Sequence, residues 1–214
     1  MSELVFVERA ADGDPEGLVV LHHGRGSHEG DLIGLADFFD PDRRLHFVAP
    51  RAPMELAGSP GYHWYLVPAV GRPDPETFAA AFSALAEFHD LLWERTGLTP
   101  AQTILGGFSM GSVMSFSLGL AGDRPVPAGL LCFSGFIPAV ESWSPSFEDR
   151  SNLPVFIAHG TGDPVISVEF ARSANIKLES AGLPTEYHEF PGGHTIDPST
   201  IEPAAAFIAQ SLAP

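Results

Sequence analysis

Apolar residues along this 214-residue chain follow two rhythms. The first is short, nearly unbroken runs: Leu18 to Leu21, Leu45 to Ala49, Thr103 to Gly107, Ala128 to Phe133 and Leu153 to Ala158. Runs without polar alternation read as strands covered on both faces. Thr185 to Phe190 reads as a further strand, and residues 2–7 as an edge strand. The second rhythm is helical. From Asp74 to Arg95, Phe78, Ala81, Phe82, Leu85, Phe88, Leu92 and Trp93 recur near a 3.6-residue period. Asp74 is placed to cap that helix, Pro75 suits its first turn and Gly97 its end. Further helices are expected over 31–39, 109–120, 168–181 and 201–212. Residues 50–63 read as a Pro/Gly-rich loop, and 62–67 as a short strand or an aromatic part of that loop. The loop over 135–152 is too short for an independent lid. Strands alternating with helices predict an α/β fold in which a mostly parallel sheet carries helices on both faces. No internal repeat or linker interrupts residues 1–214, so a single domain is expected.

Composition narrows the function classes. The chain has 27 Asp and Glu against 11 Lys and Arg, a net charge of -16 with His neutral. That charge repels nucleic acid and anionic membrane surfaces, so no nucleic-acid partner is expected. No run approaches the roughly 18 apolar residues of a membrane helix, so no stable membrane insertion is expected. Glu3, Glu8 and Arg9 near the start do not resemble a basic-then-apolar signal, and the expectation is a cytoplasmic protein. The one cysteine, Cys132, lies in the apolar run Leu130-Leu131-Cys132-Phe133, which suits a buried small hydrophobe. One cysteine excludes an intrachain disulfide and a thiolate cluster. The nine histidines form no H-E-x-x-H or comparable ligand spacing, so neither a metal nor another cofactor is expected.

Candidate chemistry begins at Gly107-Phe108-Ser109-Met110-Gly111, a G-x-S-x-G motif between a strand and a helix. Small residues on either side of Ser109 let strand and helix approach, and the turn holds the hydroxyl clear of the sheet. A serine hydroxyl needs a base, and the base needs a carboxylate to set its tautomer. In such elbows the acid and then the histidine follow along the chain. Asp163, after the strand ending in His159, is the candidate acid. His194, after Gly192-Gly193, is the candidate base, on a loop its glycines would leave mobile. Asp149 lies in an unpatterned loop, and Asp197 is better placed to start the final helix. His159 is expected to pack or hydrogen-bond behind Asp163. The negative charge of a tetrahedral intermediate calls for two backbone N–H donors. Met110, after the nucleophile, should supply one, and Arg25, within His23-Gly24-Arg25-Gly26, the other.

Taken in order, Leu21-His22-His23-Gly24-Arg25-Gly26, Pro50-Arg51-Ala52-Pro53, Gly106 to Gly111, His159 to Val165 and Gly192-Gly193-His194 resemble the small α/β-hydrolases of the carboxylesterase, phospholipase and acyl-protein thioesterase family. The resemblance spans most of the chain. It implies an α/β-hydrolase fold with about seven strands and minimal or no cap, a Ser109/Asp163/His194 triad, and an oxyanion hole from Arg25 and Met110. It departs from the family in carrying Met110 where Gln is common after the nucleophile and Arg25 where an apolar residue is common. Ser27-His28-Glu29 replaces the usual Asp. Dienelactone hydrolases share the scaffold but use cysteine at the elbow, unlike Ser109. The expected activity is a serine carboxylesterase acting on small to medium esters with an apolar group. Met54, Leu56, Trp64, Phe136, Ile137 and Ile166 are its expected pocket residues. Thioesterase and lysophospholipase activities are the nearest alternatives. A non-catalytic small-ligand binder on the same scaffold is the alternative of another class. Homodimer formation stays open.

Overall fold

The computed structural model describes residues 4–213. Its centre is a seven-stranded sheet. In chain order the strands and helices are β1 (Phe6–Arg9), β2 (Leu18–His22), α1 (Ala36–Phe39), β3 (His46–Pro50), β4 (Met54–Glu55), β5 (Tyr62–His63), α2 (Pro75–Thr96), β6 (Thr103–Phe108), α3 (Met110–Gly119), β7 (Gly129–Phe133), β8 (Val155–Gly160), α4 (Val168–Ser180), β9 (Thr185–Phe190) and α5 (Ile201–Ser211). The sheet order is β1-β3-β2-β6-β7-β8-β9, and every pairing is parallel except β1 with β3. β4 and β5 form a separate antiparallel ribbon.

Burial explains the unbroken apolar runs. Along β2, β7 and β8, alternate residues enter two separate cores. Leu18, Val20, Leu130, Cys132, Val155 and Ile157 face α2, α3 and α4. Val19, Leu21, Leu131, Phe133, Phe156 and Ala158 face α1 and α5. Neither face of these strands meets water, so their interiors are apolar, and polar side chains enter only toward their carboxyl ends, at His22 and His159. α3 is buried along its whole length. Cys132 is buried, and burial pushes its thiol well above the ordinary range.

Capping sets several boundaries. Asp74 accepts a hydrogen bond from the Thr77 N–H at 2.9 Å, Pro75 opens α2, and Gly97 closes it at φ 71°. Asp197 caps the short 3-10 turn Pro198–Thr200 that leads into α5. The helix expected over 31–39 is instead a 3-10 turn, Ile33–Leu35, running into the single turn of α1. The buried Asp40 explains its shortness: its carboxylate accepts from the Arg44 and Leu45 N–H groups and turns the chain toward β3. The edge strand lies at Phe6–Arg9, later than expected, and residues 2 and 3 fall outside the described residues. The expected 50–63 loop holds both β4 and β5, and of the short strand considered over 62–67 only Tyr62–His63 forms. Residues 135–152 carry no helix, and buried Arg150 ties them down by donating to the carbonyls of Gly119 and Ala121. Among the described residues, no helix is long and apolar enough to cross a membrane.

Candidate active site

Ser109 sits between the carboxyl end of β6, the central strand, and the start of α3. Its backbone is at φ 56°, ψ -120°, a strained conformation for a residue with a side chain. The flanking glycines permit it. A Cβ on Gly111 would overlap the His22 carbonyl oxygen, and one on Gly107 would overlap the Gly111 backbone. The Ser109 N–H donates to Phe133 O at 2.9 Å, which ties the elbow to β7.

Two further strand ends bring the remaining groups. Asp163 follows β8 and His194 follows β9. His194 Nε2 lies 2.8 Å from Ser109 Oγ, and His194 Nδ1 lies 2.6 Å from Asp163 Oδ2. An acceptor at Nδ1 selects the tautomer that protonates Nδ1 and leaves Nε2 free to take the serine proton. The imidazole packs on Phe108, ring centres 4.8 Å apart. The Asp163 side chain is fully buried. Burial alone would raise its pKa. Hydrogen bonds from His194 and from the Ile166 and Val165 N–H groups outweigh that and hold it below the usual carboxylate range. His159 stands behind it, donating from Nε2 to Ile166 O at 2.8 Å, with the same nitrogen 3.2 Å from Asp163 Oδ2. The glycines before His194 have a packing role rather than that of a loose hinge. Their carbonyls press against Gly160, where a Cβ would overlap them, and Gly192 O accepts from the Gly162 N–H at 2.9 Å.

Met110 opens α3, so its N–H is one of the helix's unpaired first-turn donors. Arg25 lies in the loop after β2, and with Met110 and Ser109 it lines one cavity. That loop is fixed from two sides. Gly26 N–H donates to Tyr62 O and Tyr62 N–H to Ser27 O, both at 2.7 Å, so β5 acts as a brace. His23 is buried; its Nε2 accepts from the Ala52 N–H at 3.0 Å, leaving Nδ1 to donate to Gly24 O at 2.8 Å. Burial lowers the His23 pKa and favours this neutral ring.

The cavity over Ser109 measures about 90 Å³ and is also lined by Tyr65, Val67, Val70, Phe136, Val165 and Ile166. Phe136 and Ile166 therefore sit where the sequence reading put them. Trp64 does not: it is fully buried, and its Nε1 donates to His23 O at 2.9 Å, so it supports the loop from beneath. Ile137 packs partly buried against the core and is not a wall of this cavity. Met54 and Leu56 line a neighbouring groove of about 480 Å³ that shares Arg25 and Val67 with the cavity. Tyr65, Val67, Val70 and Val165 were missed. Val165 alone had a signal, since it ends the motif segment His159 to Val165.

A mostly parallel sheet with a strained serine at its central strand and the histidine and aspartate after two later strands defines the α/β-hydrolase class. The chain belongs to the phospholipase/carboxylesterase family, whose sequence pattern matches residues 4–212, and it is an ester-hydrolysing enzyme. It is 28% identical over 232 residues to acyl-protein thioesterase 1 of Debaryomyces hansenii, covering 99% of each chain. The crystal structure of esterase PE8 superposes with a TM-score of 0.85 at 34% identity, over 98% of this chain and 99% of that one. The Bacillus cereus carboxylesterase shares the fold, with a TM-score of 0.83 at 23% identity over 97% and 94% of the two chains.

Proposed function

We propose that the protein is a serine carboxylesterase in which Ser109 is the nucleophile, His194 the general base and Asp163 the group that orients it. The observation that carries this reading is His194 bridging Ser109 Oγ at 2.8 Å and Asp163 at 2.6 Å. Ser109 Oγ attacks the ester carbonyl as its proton passes to His194 Nε2. The imidazolium that forms is stabilised by the Asp163 carboxylate. The oxyanion is held by the Arg25 and Met110 N–H groups. His194 then protonates the departing alcohol. Water, deprotonated by His194, attacks the acyl-serine and frees the acid and Ser109.

The cavity favours short apolar acyl groups, because about 90 Å³ is roughly three water-sized volumes. A thioester is the second reading, supported by relatives named acyl-protein thioesterase. The test is intact mass after incubation with a small fluorophosphonate. One adduct that disappears in Ser109→Ala is expected, with kcat for a butanoate ester falling at least about a thousandfold at unchanged Tm. A wild-type rate in Ser109→Ala would overturn the assignment.

A further inference from the structure

In this acidic molecule the Arg25 side chain is set apart by its place beside Ser109. Seven of the chain's arginines lie within ion-pair distance of a carboxylate. Arg150 donates to backbone carbonyls, and Lys177 lies over the Phe147 ring. Arg25 and Arg72 are both exposed, with no ion pair or side-chain hydrogen bond among the described residues, and of the two only Arg25 lines the cavity that holds Ser109. It also forms the junction between the small cavity over Ser109 and the larger neighbouring groove. A guanidinium keeps its charge at any working pH and offers a planar fork that matches an oxyanion. The groove holds a second unsatisfied polar group. His63, 4% exposed, lines it, and His63 Nδ1 has no partner among the described residues.

The two spaces differ in a way that orients a substrate. The cavity is small and walled by apolar side chains, which suits the acyl group that stays on the enzyme through the intermediate. The groove runs out to solvent along exposed Leu66, Val67 and Pro68, the direction in which a leaving group departs. We propose that the groove is a leaving-group subsite for alcohols bearing a carboxylate, with Arg25 as its specificity-determining residue. The preferred substrates are then short-chain acyl esters of hydroxy acids. The inference rests on Ser109 being the nucleophile. Glu55, also in the groove, opposes an incoming carboxylate and sets an upper limit on the preference.

The test compares two esters with the same acyl group, 4-(butanoyloxy)benzoate and 4-(butanoyloxy)benzamide, each rate divided by its hydroxide-catalysed rate. Wild type is expected to favour the carboxylate ester by about tenfold in kcat/KM. Arg25→Gln is expected to bring the ratio within about twofold of unity, Arg25→Lys to keep part of it, and Glu55→Gln to raise it. The ratio removes any common loss caused by disturbing the Arg25 backbone. Fluorophosphonate labelling of each protein separates the two ways to fail. Labelling at Ser109 with a ratio near unity in wild type, or one unchanged in Arg25→Gln, overturns the subsite alone. No labelling of wild type at Ser109 overturns the subsite and the nucleophile together.

Discussion

Asp163 has no freedom to do anything but accept hydrogen bonds. One carboxylate oxygen takes the Val165 and Ile166 N–H groups, and the other faces His194 and His159. Replacing it with Asn presents an amide where the His194 Nδ1–H needs an acceptor, or forces the other tautomer. Asp163→Asn should lower kcat by about a thousandfold to ten-thousandfold while the fold persists, read by steady-state kinetics beside circular dichroism. The meeting of Ser109, Asp163 and His194 was legible because each follows a recognisable strand, and parallel strands deliver their carboxyl ends to one edge. Trp64 was not legible as a core residue. An aromatic in a Pro/Gly-rich stretch reads the same whether it walls a cavity or supports a loop, and only the Nε1 bond to His23 O decides.

Among the elements, the two-residue strand β5 has an influence beyond its length. It braces the Arg25 loop through Gly26 and Ser27, and at Gly61, just before it, a Cβ would overlap the Gly26 backbone. Gly61→Ala should push the loop outward and misplace the Arg25 N–H. We expect kcat to fall tenfold or more with a smaller effect on Tm, measured by kinetics and thermal unfolding. Long elements were readable where local and tertiary preferences agree, as in α2 with its Asp74 cap and Gly97 stop. The 31–39 segment misled because its apolar spacing is helical while Asp40 uses its carboxylate to turn the chain. Of the β4–β5 ribbon, only β5 had a reading, as one of two options over 62–67, and β4 left no pattern, since two-residue strands are too short to show alternation.

On the scale of the whole molecule, burying histidines makes stability depend on pH. His22 and His89 lie in the core with ring centres 5.3 Å apart. Burial is the main cause that lowers both pKa values, His89 from 6.5 to about 4 and His22 well below 6.5. Both stay neutral in the fold but take up a proton near pH 6.5 when unfolded. The stability this gives is complete above about 6.5 and is lost as pH falls toward 4, at about 1.4 kcal/mol per pH unit for each histidine. Below 4.5 the paired Glu29 and Glu189, both held at about 2, add to the loss in the same direction. Denaturant melts between pH 7 and 4.5 should show this slope, and His89→Leu should reduce it.

The doubly covered sheet was evident from the apolar runs, but the cavity walls were not, because they come from loops whose course depends on distant contacts. That division has an evolutionary consequence. Ser109, Asp163 and His194 follow strands of the sheet, whereas Val67, Val70 and Val165 are exposed and carry little of the core. Selection can therefore act on one without disturbing the other. A library randomised at those three positions should keep Tm within about 2 °C of the parent while its members diverge in acyl preference. A duplicated copy of the gene could acquire a new substrate in a few steps, each of them folded.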